Sequence, residues 1–77
     1  MSHPGPRLSD RELEVLALVA AGWTNPQIAR RLCLSVGTVR NHVMRICLKL
    51  GTENRTAAAV TGVQRGLVAP DMETPPA

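Results

Sequence analysis

Apolar residues recur every three or four positions along most of this chain, and capping residues, glycine or proline interrupt the recurrence at short intervals. This periodicity is typical of amphipathic helices, and no stretch has the sustained apolar–polar alternation of a half-buried strand. The pattern therefore predicts an all-α fold with four short helices between residues 8 and 68.

Each predicted helix has its own start and stop signals. The starts are residues whose side chains can accept a hydrogen bond from a first-turn amide, namely Ser9, Thr24 or Asn25, Ser35 and Asn54. The stops are Gly22, Gly51 and Gly66, with the second helix ending near Cys33. Ser9 and Glu12 have the spacing of a capping box, and Pro26 falls in a first turn, where proline is tolerated.

The third predicted helix has two contrasting faces. At about 100° per residue, one arc collects the apolar residues Val36, Val39, Val43, Ile46 and Leu50. The opposite side carries Gly37, Asn41, Met44 and Arg45, with Arg40 on its flank. We expect the apolar arc to pack into the domain and the opposite side to remain open to a ligand.

Only Leu34 and Ser35 separate the second predicted helix from the third, so the chain must turn sharply between them. Two helices joined in this way, the second with a basic outer face, form the helix-turn-helix pattern. In the major groove of B-DNA, arginine can bond guanine at two atoms and asparagine can do the same with adenine. The pattern therefore predicts double-stranded DNA as the ligand, with Arg40 and Asn41 facing the bases.

The distribution of charge supports a polyanionic partner. The formal net charge is +3, but residues 26–68 hold seven lysines and arginines against Glu53 alone. A basic surface on a compact domain favours nucleic acid, although in many basic proteins such residues serve only solubility.

Other functional classes find little support in the sequence. Cys33 and Cys47 lie in apolar helical patterns without CxxC spacing, which favours reduced cysteines and a cytoplasmic protein. Neither a membrane-spanning apolar run nor a signal peptide is apparent. We expect no enzyme, cofactor or small-molecule ligand, because no nucleophile–base spacing or phosphate loop is present. His3 and His42 match no zinc pattern with the cysteines, so we expect no metal.

Four motifs follow one another along the chain, namely LSDRELEVL at residues 8–16, GWTNPQIA at 22–29, LSVGTVRNH at 34–42 and KLGTENRT at 49–56. Over residues 7–68 the sequence resembles the LuxR/GerE-type helix-turn-helix domain of bacterial transcription regulators and response regulators. Four motifs in order make a specific signal. The resemblance implies four helices, the third of which, at about 35–50, reads the major groove, while the fourth forms a dimer contact.

The resemblance also implies roles for individual residues. It assigns base reading to Arg40, Asn41 and Met44. Phosphate contacts fall to Thr24, Asn25, Ser35, Thr38, Arg45 and Lys49. The dimer contact falls to the small residues of the fourth helix, Ala58, Ala59, Gly62 and Val63, although by residue type alone these could equally pack into the domain's own core.

One ion pair and two departures complete the comparison with the family. Glu12 and Arg55 occupy positions that imply an ion pair between the first and fourth helices. Met44 stands where many members have a polar or basic residue, which favours an apolar contact in the groove, such as one to a thymine methyl group. Leu48 on the outer face also replaces a polar or basic residue, which indicates weaker phosphate binding or a protein contact.

The sequence thus predicts a flexible arm at residues 1–7, a DNA-binding domain at 8–68 and a disordered tail at 69–77. The predicted function is sequence-specific DNA binding and transcription regulation as a homodimer, with RNA polymerase as a further partner. Two alternatives remain open. One is region 4 of a sigma factor, and the other is an interaction module that pairs with a full-length regulator and modulates it.

Overall fold

The computed structural model describes residues 7–70 and 73–76, so most of the predicted N-terminal arm lies outside the described residues. The chain forms four helices, α1 (Asp10–Ala20), α2 (Asn25–Leu32), α3 (Val36–Leu50) and α4 (Arg55–Gln64). No strand occurs among the described residues. The predicted all-α, four-helix fold is confirmed.

The predicted start signals are the caps that the structure shows. The side chains of Ser9, Thr24, Ser35 and Asn54 each accept a hydrogen bond from the backbone amide three residues further on. At the start of α2, Gln27 Oε1 accepts a hydrogen bond of 2.9 Å from the Thr24 amide, so α2 has a capping box like that of α1. Thr24, rather than Asn25, is therefore the cap of α2.

The turn between α2 and α3 depends on a left-handed residue that is not glycine. Cys33 has φ 58° at the end of α2, a conformation that costs an L-residue about 1–2 kcal/mol. Two backbone bonds hold it there, because the amides of Cys33 and Leu34 both donate to the Ala29 carbonyl. This turn fixes the direction in which α3 leaves α2.

The core lies where α1, α3 and α4 meet, with α2 packed against α3. Its largest fully buried side chains are Val15, Leu16, Ile28, Val39 and Ile46. All five residues of the predicted α3 arc are buried or packed against this core, which confirms the inner face of α3. Trp23 is buried in the α1–α2 turn and covers one edge of the core.

The described part of the C-terminal tail lies against the α1–α2 side of the domain. The Trp23 indole Nε1 donates to the Glu73 carbonyl at 2.9 Å, and Arg31 meets the Glu73 carboxylate at 2.8 Å. Gln27 Nε2 also lies 3.4 Å from the Pro76 carbonyl. The disorder predicted for residues 69–77 stays a prediction, and residues 71, 72 and 77 lie outside the described part of the chain. Within that part, no helix combines the length and the apolar character needed to cross a membrane.

Candidate nucleic-acid interface

The neighbouring helices cover one side of α3 and leave the other side open. The exposed residues on this side, which we call the α3 outer face, are Gly37, Arg40, Asn41, Met44, Arg45 and Leu48. The three residues predicted to read bases therefore lie together on one solvent-facing surface. Leu34 and Ser35, in the short turn, set where this surface begins.

The arginines of the α3 outer face keep their charges available to an external ligand. Among the described residues, the ion pairs join Arg11 to Glu14, Arg31 to Glu73 and Lys49 to Glu12. Arg40 and Arg45 belong to none of these pairs. Their guanidinium groups can therefore donate to phosphate or base acceptors without first breaking an internal ion pair.

The beginning of α3 is suited to an anion. Ser35 Oγ accepts a hydrogen bond of 3.0 Å from the Thr38 amide and donates one of 2.9 Å to Thr38 Oγ1. Gly37 is exposed and has no side chain, so no side chain at this position shields the start of the helix. The amides and the positive end of the helix dipole favour negative charge at this position. Ser35 and Thr38, two predicted phosphate contacts, thus flank an anion-compatible helix start.

Two further predicted phosphate contacts lie at the start of α2. Thr24 is exposed, and Asn25 is half-buried beside the first residue of α4. Arg55 donates hydrogen bonds to Asn25 Oδ1 and to the Trp23 carbonyl. The bond from Arg55 to Oδ1 orients the Asn25 side chain, and its NH₂ group, the donor of the amide, is left for a phosphate.

The ion pair predicted between Glu12 and Arg55 is wrong. Glu12, only 3 % exposed, pairs instead with Lys49, whose Nζ lies 2.7 Å from its Oε1. The reason is spatial: the last turn of α3 packs beside the start of α1, whereas Arg55 begins α4 next to the turn after α1. Lys49 therefore ties α1 to α3, and Arg55 ties α4 to the α1–α2 turn.

The Glu12 carboxyl and the Arg55 guanidinium both have shifted pKa values. Burial of the Glu12 carboxyl opposes its ionisation, but hydrogen bonds from Lys49 and the Ser9 amide, together with the Lys49 charge, outweigh burial and lower its pKa below the ordinary 4.5. Burial lowers the pKa of the Arg55 guanidinium.

The pairing with Glu12 also changes the role of Lys49, which the sequence predicted to be a phosphate contact. Its ammonium donates to Glu12 and, at 3.1 Å, to the Arg7 carbonyl. Two of its three donors are thus used inside the domain, so the structure assigns Lys49 a structural role. The sequence held only a weak signal for this role, because on the helical wheel Lys49 lies outside the apolar arc, about 60° from Ile46, although nearer to it than Arg45.

The dimer contact predicted on α4 needs a similar correction. Ala58 is 2 % exposed, and a Cβ atom at Gly62 would lie 2.8 Å from Leu16 Cδ2. Both residues therefore pack into the domain's own core, where small size lets α4 approach α1. Ala59 and Val63 are half-buried.

The exposed apolar side chains on and after α4 are not the ones predicted to form the dimer contact. Val60 on α4 is 50 % exposed, and Leu67, just after α4, is 41 % exposed. The sequence did not distinguish the two faces of α4 because small residues occupy both.

Comparison with known proteins agrees with this geometry. The sequence signature described as "Bacterial regulatory proteins, luxR family" matches residues 6–61. The chain is 45 % identical over 60 residues to the transcriptional regulatory protein LnrK of Bacillus subtilis, covering 78 % of this chain and 27 % of that protein. It is 51 % identical over 53 residues to the DNA-binding transcriptional activator DevR/DosR of Mycobacterium tuberculosis, covering 69 % of this chain and 24 % of the activator.

Solved structures show the same arrangement of helices. The transcription factor GerE superposes with a TM-score of 0.78 at 31 % identity, covering 83 % of this chain and 96 % of GerE. The Vibrio cholerae VqmA dimer gives a TM-score of 0.77 at 30 % identity, covering 83 % of this chain and 30 % of VqmA. This chain thus spans about a quarter of the two curated relatives but nearly all of GerE. Its four helices form a GerE-type DNA-binding domain, and the chain belongs to the LuxR family of bacterial regulatory proteins.

Proposed function

We propose that this chain binds a specific site in double-stranded DNA through the α3 outer face and thereby regulates transcription in the cytoplasm, without catalysis. The observation that carries the proposal is the exposed asparagine between two arginines that form no ion pair among the described residues, on a helix whose other side is anchored in the core. Family membership favours this function over the sigma-factor alternative.

Base reading in this proposal belongs to Arg40, Asn41 and Met44. Arg40 is suited to the O6 and N7 acceptors of guanine, and Asn41 to the N6 and N7 atoms of adenine. All three side chains are exposed, so no packing must be broken before they enter the groove.

Phosphate contacts would hold the domain in register without specifying sequence. Arg45 supplies a charge on one flank of the α3 outer face. At the start of α3, Ser35 caps the helix and donates to the Thr38 hydroxyl, which keeps its own hydrogen for a phosphate. Thr24 and the NH₂ group of Asn25 would meet the backbone from the start of α2. Lys49 is not included, because Glu12 and Arg7 already engage it.

We further propose that two copies bind together, through Val60 and Leu67 with Ala59 and Val63 beside them. Val60 on α4 and Leu67 just after it are exposed, and Ala59 and Val63 are only partly covered by the core, so apolar area remains for a second copy. Two half-sites would then lie about 10 base pairs apart, centre to centre, or a multiple of that spacing. RNA polymerase would be the further partner through which bound DNA affects transcription.

The proposal is tested by selecting bound sites from random DNA at a fixed salt concentration and measuring their affinities by mobility shift. Arg40→Ala should weaken binding to the selected site by about 1–3 kcal/mol and relax preference at one base pair. Arg45→Ala should instead reduce the salt dependence of binding by about one unit of slope and leave the preference unchanged.

Arg11→Ala is the matched control, because Arg11 is exposed on α1 and is not part of the α3 outer face. It should change neither the base preference nor, beyond a small long-range effect, the affinity. If no sequence is enriched, sequence-specific reading by α3 is ruled out, and the interaction module becomes the better description. If Arg40→Ala weakens binding to the selected site and to random DNA equally, Arg40 is a phosphate contact and its base-reading role is wrong.

A further inference from the structure

The middle of the α3 outer face is apolar. Met44 is 56 % exposed and Leu48 is 76 % exposed, although both are large hydrophobic side chains. They are four residues apart on a helix, so they are neighbours on its surface. Single exposed hydrophobics are ordinary, but two adjacent ones on the surface proposed to meet DNA call for a ligand that offers apolar groups.

The charged residues beside Met44 and Leu48 indicate which kind of ligand fits this surface. Arg40 lies on one flank and Arg45 on the other, and neither belongs to an ion pair among the described residues. A second copy of this face would bring arginines against arginines, which disfavours self-association there. The complementary surface has an apolar centre and negative sides. A DNA major groove containing thymine provides both, with methyl groups on its floor and phosphates along its walls.

The spacing along α3 also fits neighbouring base pairs. With a helical rise of about 1.5 Å per residue, Met44 lies about 4.5 Å beyond Asn41, and Leu48 about 6 Å beyond Met44. Base pairs are stacked about 3.4 Å apart, and a helix in the major groove runs obliquely to the stack, so the three side chains can reach neighbouring base pairs. All three lie within an arc of about 60° of the helix surface.

We propose that Met44 and Leu48 read thymine by contact with its C5-methyl group, at base pairs beside the adenine that Asn41 reads. This inference rests on the proposed function and adds the chemical group that the apolar residues recognise. The methyl group of thymine is the apolar feature of the major-groove edge, so an apolar side chain distinguishes thymine from cytosine without a hydrogen bond. The preferred site should therefore contain thymines next to the Asn41 contact.

The test replaces each thymine of the selected site, one at a time, by deoxyuridine. This substitution removes the methyl group and keeps every hydrogen-bonding atom of the base. At two positions, one for each side chain, Kd should rise about fourfold, the factor that corresponds to one buried methyl group. In Met44→Gln, a polar variant of similar length, the effect of the methyl group should vanish at one position, whereas Met44→Leu should keep it. Leu48→Ala should abolish the effect at the other position.

Both side chains are exposed, so these variants should fold as the parent does, which circular dichroism checks. If a site is selected and Arg40→Ala changes its preference, but no deoxyuridine substitution matters, the thymine contact is wrong and the proposed function stands. A methyl effect that persists in both Met44→Gln and Leu48→Ala also overturns the inference. Failure to select any site contradicts the proposed function itself.

Discussion

Glu12 and Lys49 form the contact that joins the start of α1 to the last turn of α3. Glu12 Oε1 accepts hydrogen bonds from the Ser9 amide at 2.8 Å and from Lys49 Nζ at 2.7 Å. One carboxylate therefore completes the capping box of α1 and also anchors the helix proposed to read DNA. A change at this pair should alter folding first and DNA binding only as a consequence.

Lys49→Met removes the cation and leaves the buried Glu12 carboxylate with fewer partners. We expect the free energy of unfolding to fall by about 1–3 kcal/mol, measured by urea denaturation at pH 7. We also expect the folded variant to keep the salt dependence of DNA binding, because Lys49 is already engaged inside the domain. A loss of about one unit of slope would instead show that Lys49 binds phosphate.

The lowered pKa of Glu12 also predicts how stability depends on pH. A carboxyl whose pKa is lower in the folded state stabilises the fold above its unfolded value, near 4.5, and this contribution is lost as the pH falls through the folded pKa. Glu12→Gln should therefore be less stable at pH 7 and lose less stability on acidification below pH 4.5. Parallel stability curves for the two proteins would contradict this account.

Gly62 shows how one missing side chain positions a helix. A Cβ atom there would lie 2.8 Å from Cδ2 and 3.2 Å from Cγ of the fully buried Leu16. Gly62→Ala should destabilise the fold by about 1–3 kcal/mol through overpacking, reduced by the better helix propensity of alanine.

Gly37 provides the matched control on another helix. The atom nearest to its added Cβ, Ser35 Oγ, lies 3.9 Å away, so Gly37→Ala meets no clash. This variant should be more stable by about 0.5–1 kcal/mol, because only the helix propensity changes. Thermal unfolding of the two variants separates overpacking from helix propensity. If Gly62→Ala and Gly37→Ala have equal melting temperatures, α4 has room to move away from α1.

The helices α3 and α4 each pack into the core on one side and leave the other side exposed. The inner side of α3 is packed by α1, α2 and α4, and its outer face is left for a ligand. On α4 the small residues Ala58 and Gly62 face the core, and Val60 faces solvent. The same helix can therefore support the fold on one side and a second copy on the other.

Val60→Asp should weaken self-association without altering the stability of the single domain. A carboxylate at the centre of a symmetric apolar contact would be brought close to its own copy and lose its water, both of which oppose pairing. Sedimentation velocity should show a shift toward monomer, and mobility shift should show weaker binding to a two-half-site DNA but unchanged binding to one half-site.

Arg11→Ala changes the net charge by the same amount as Val60→Asp but lies on α1, so it controls for charge alone. It should leave the association state unchanged. If the parent protein binds the two-half-site DNA as a monomer at all concentrations, pairing through α4 is ruled out.

At the scale of the whole molecule, the C-terminal segment joins parts of the chain that are far apart in sequence. Its contacts are the Glu73 carbonyl with the Trp23 indole and the Glu73 carboxylate with Arg31. The hydrogen bond and charge of Glu73 raise the pKa of Arg31. The ion pair between Arg31 and Glu73 is exposed and adds little stability. The hydrogen bond from the indole holds the backbone of Glu73 against the edge of the buried Trp23 side chain.

A variant that ends at Pro70 should therefore shift the emission of Trp23 to longer wavelength and lose roughly 1 kcal/mol of stability. Trp23 is the only tryptophan, and the sequence has no tyrosine or phenylalanine, so the emission reports the surroundings of this residue alone. Glu73→Gln is the control, because it removes the ion pair and keeps the carbonyl that binds the indole. Identical spectra for the parent and the shortened chain would favour the disordered tail that the sequence predicted.

The four helices, their caps and the two faces of α3 could be predicted from local sequence. These features depend on residues within about one or two turns of each other, such as Ser9 with Glu12 or Val39 with Val43, so periodicity and capping rules predict them. The family motifs added the GerE-type arrangement. Arg40, Asn41 and Met44 were placed correctly on the exposed surface because a helical wheel needs only their positions.

Contacts between residues that are far apart in the sequence could not be predicted in this way. Glu12 and Lys49 are 37 positions apart, and Trp23 and Glu73 are 50 apart. The choice of Lys49 over Arg55 depends on how α1, α3 and α4 pack, and so does the burial of Ala58 and Gly62. Local sequence patterns do not predict these contacts. Lys49 and Arg55 are both possible partners of Glu12, and both faces of α4 carry small residues, so only the packing of the helices distinguishes them.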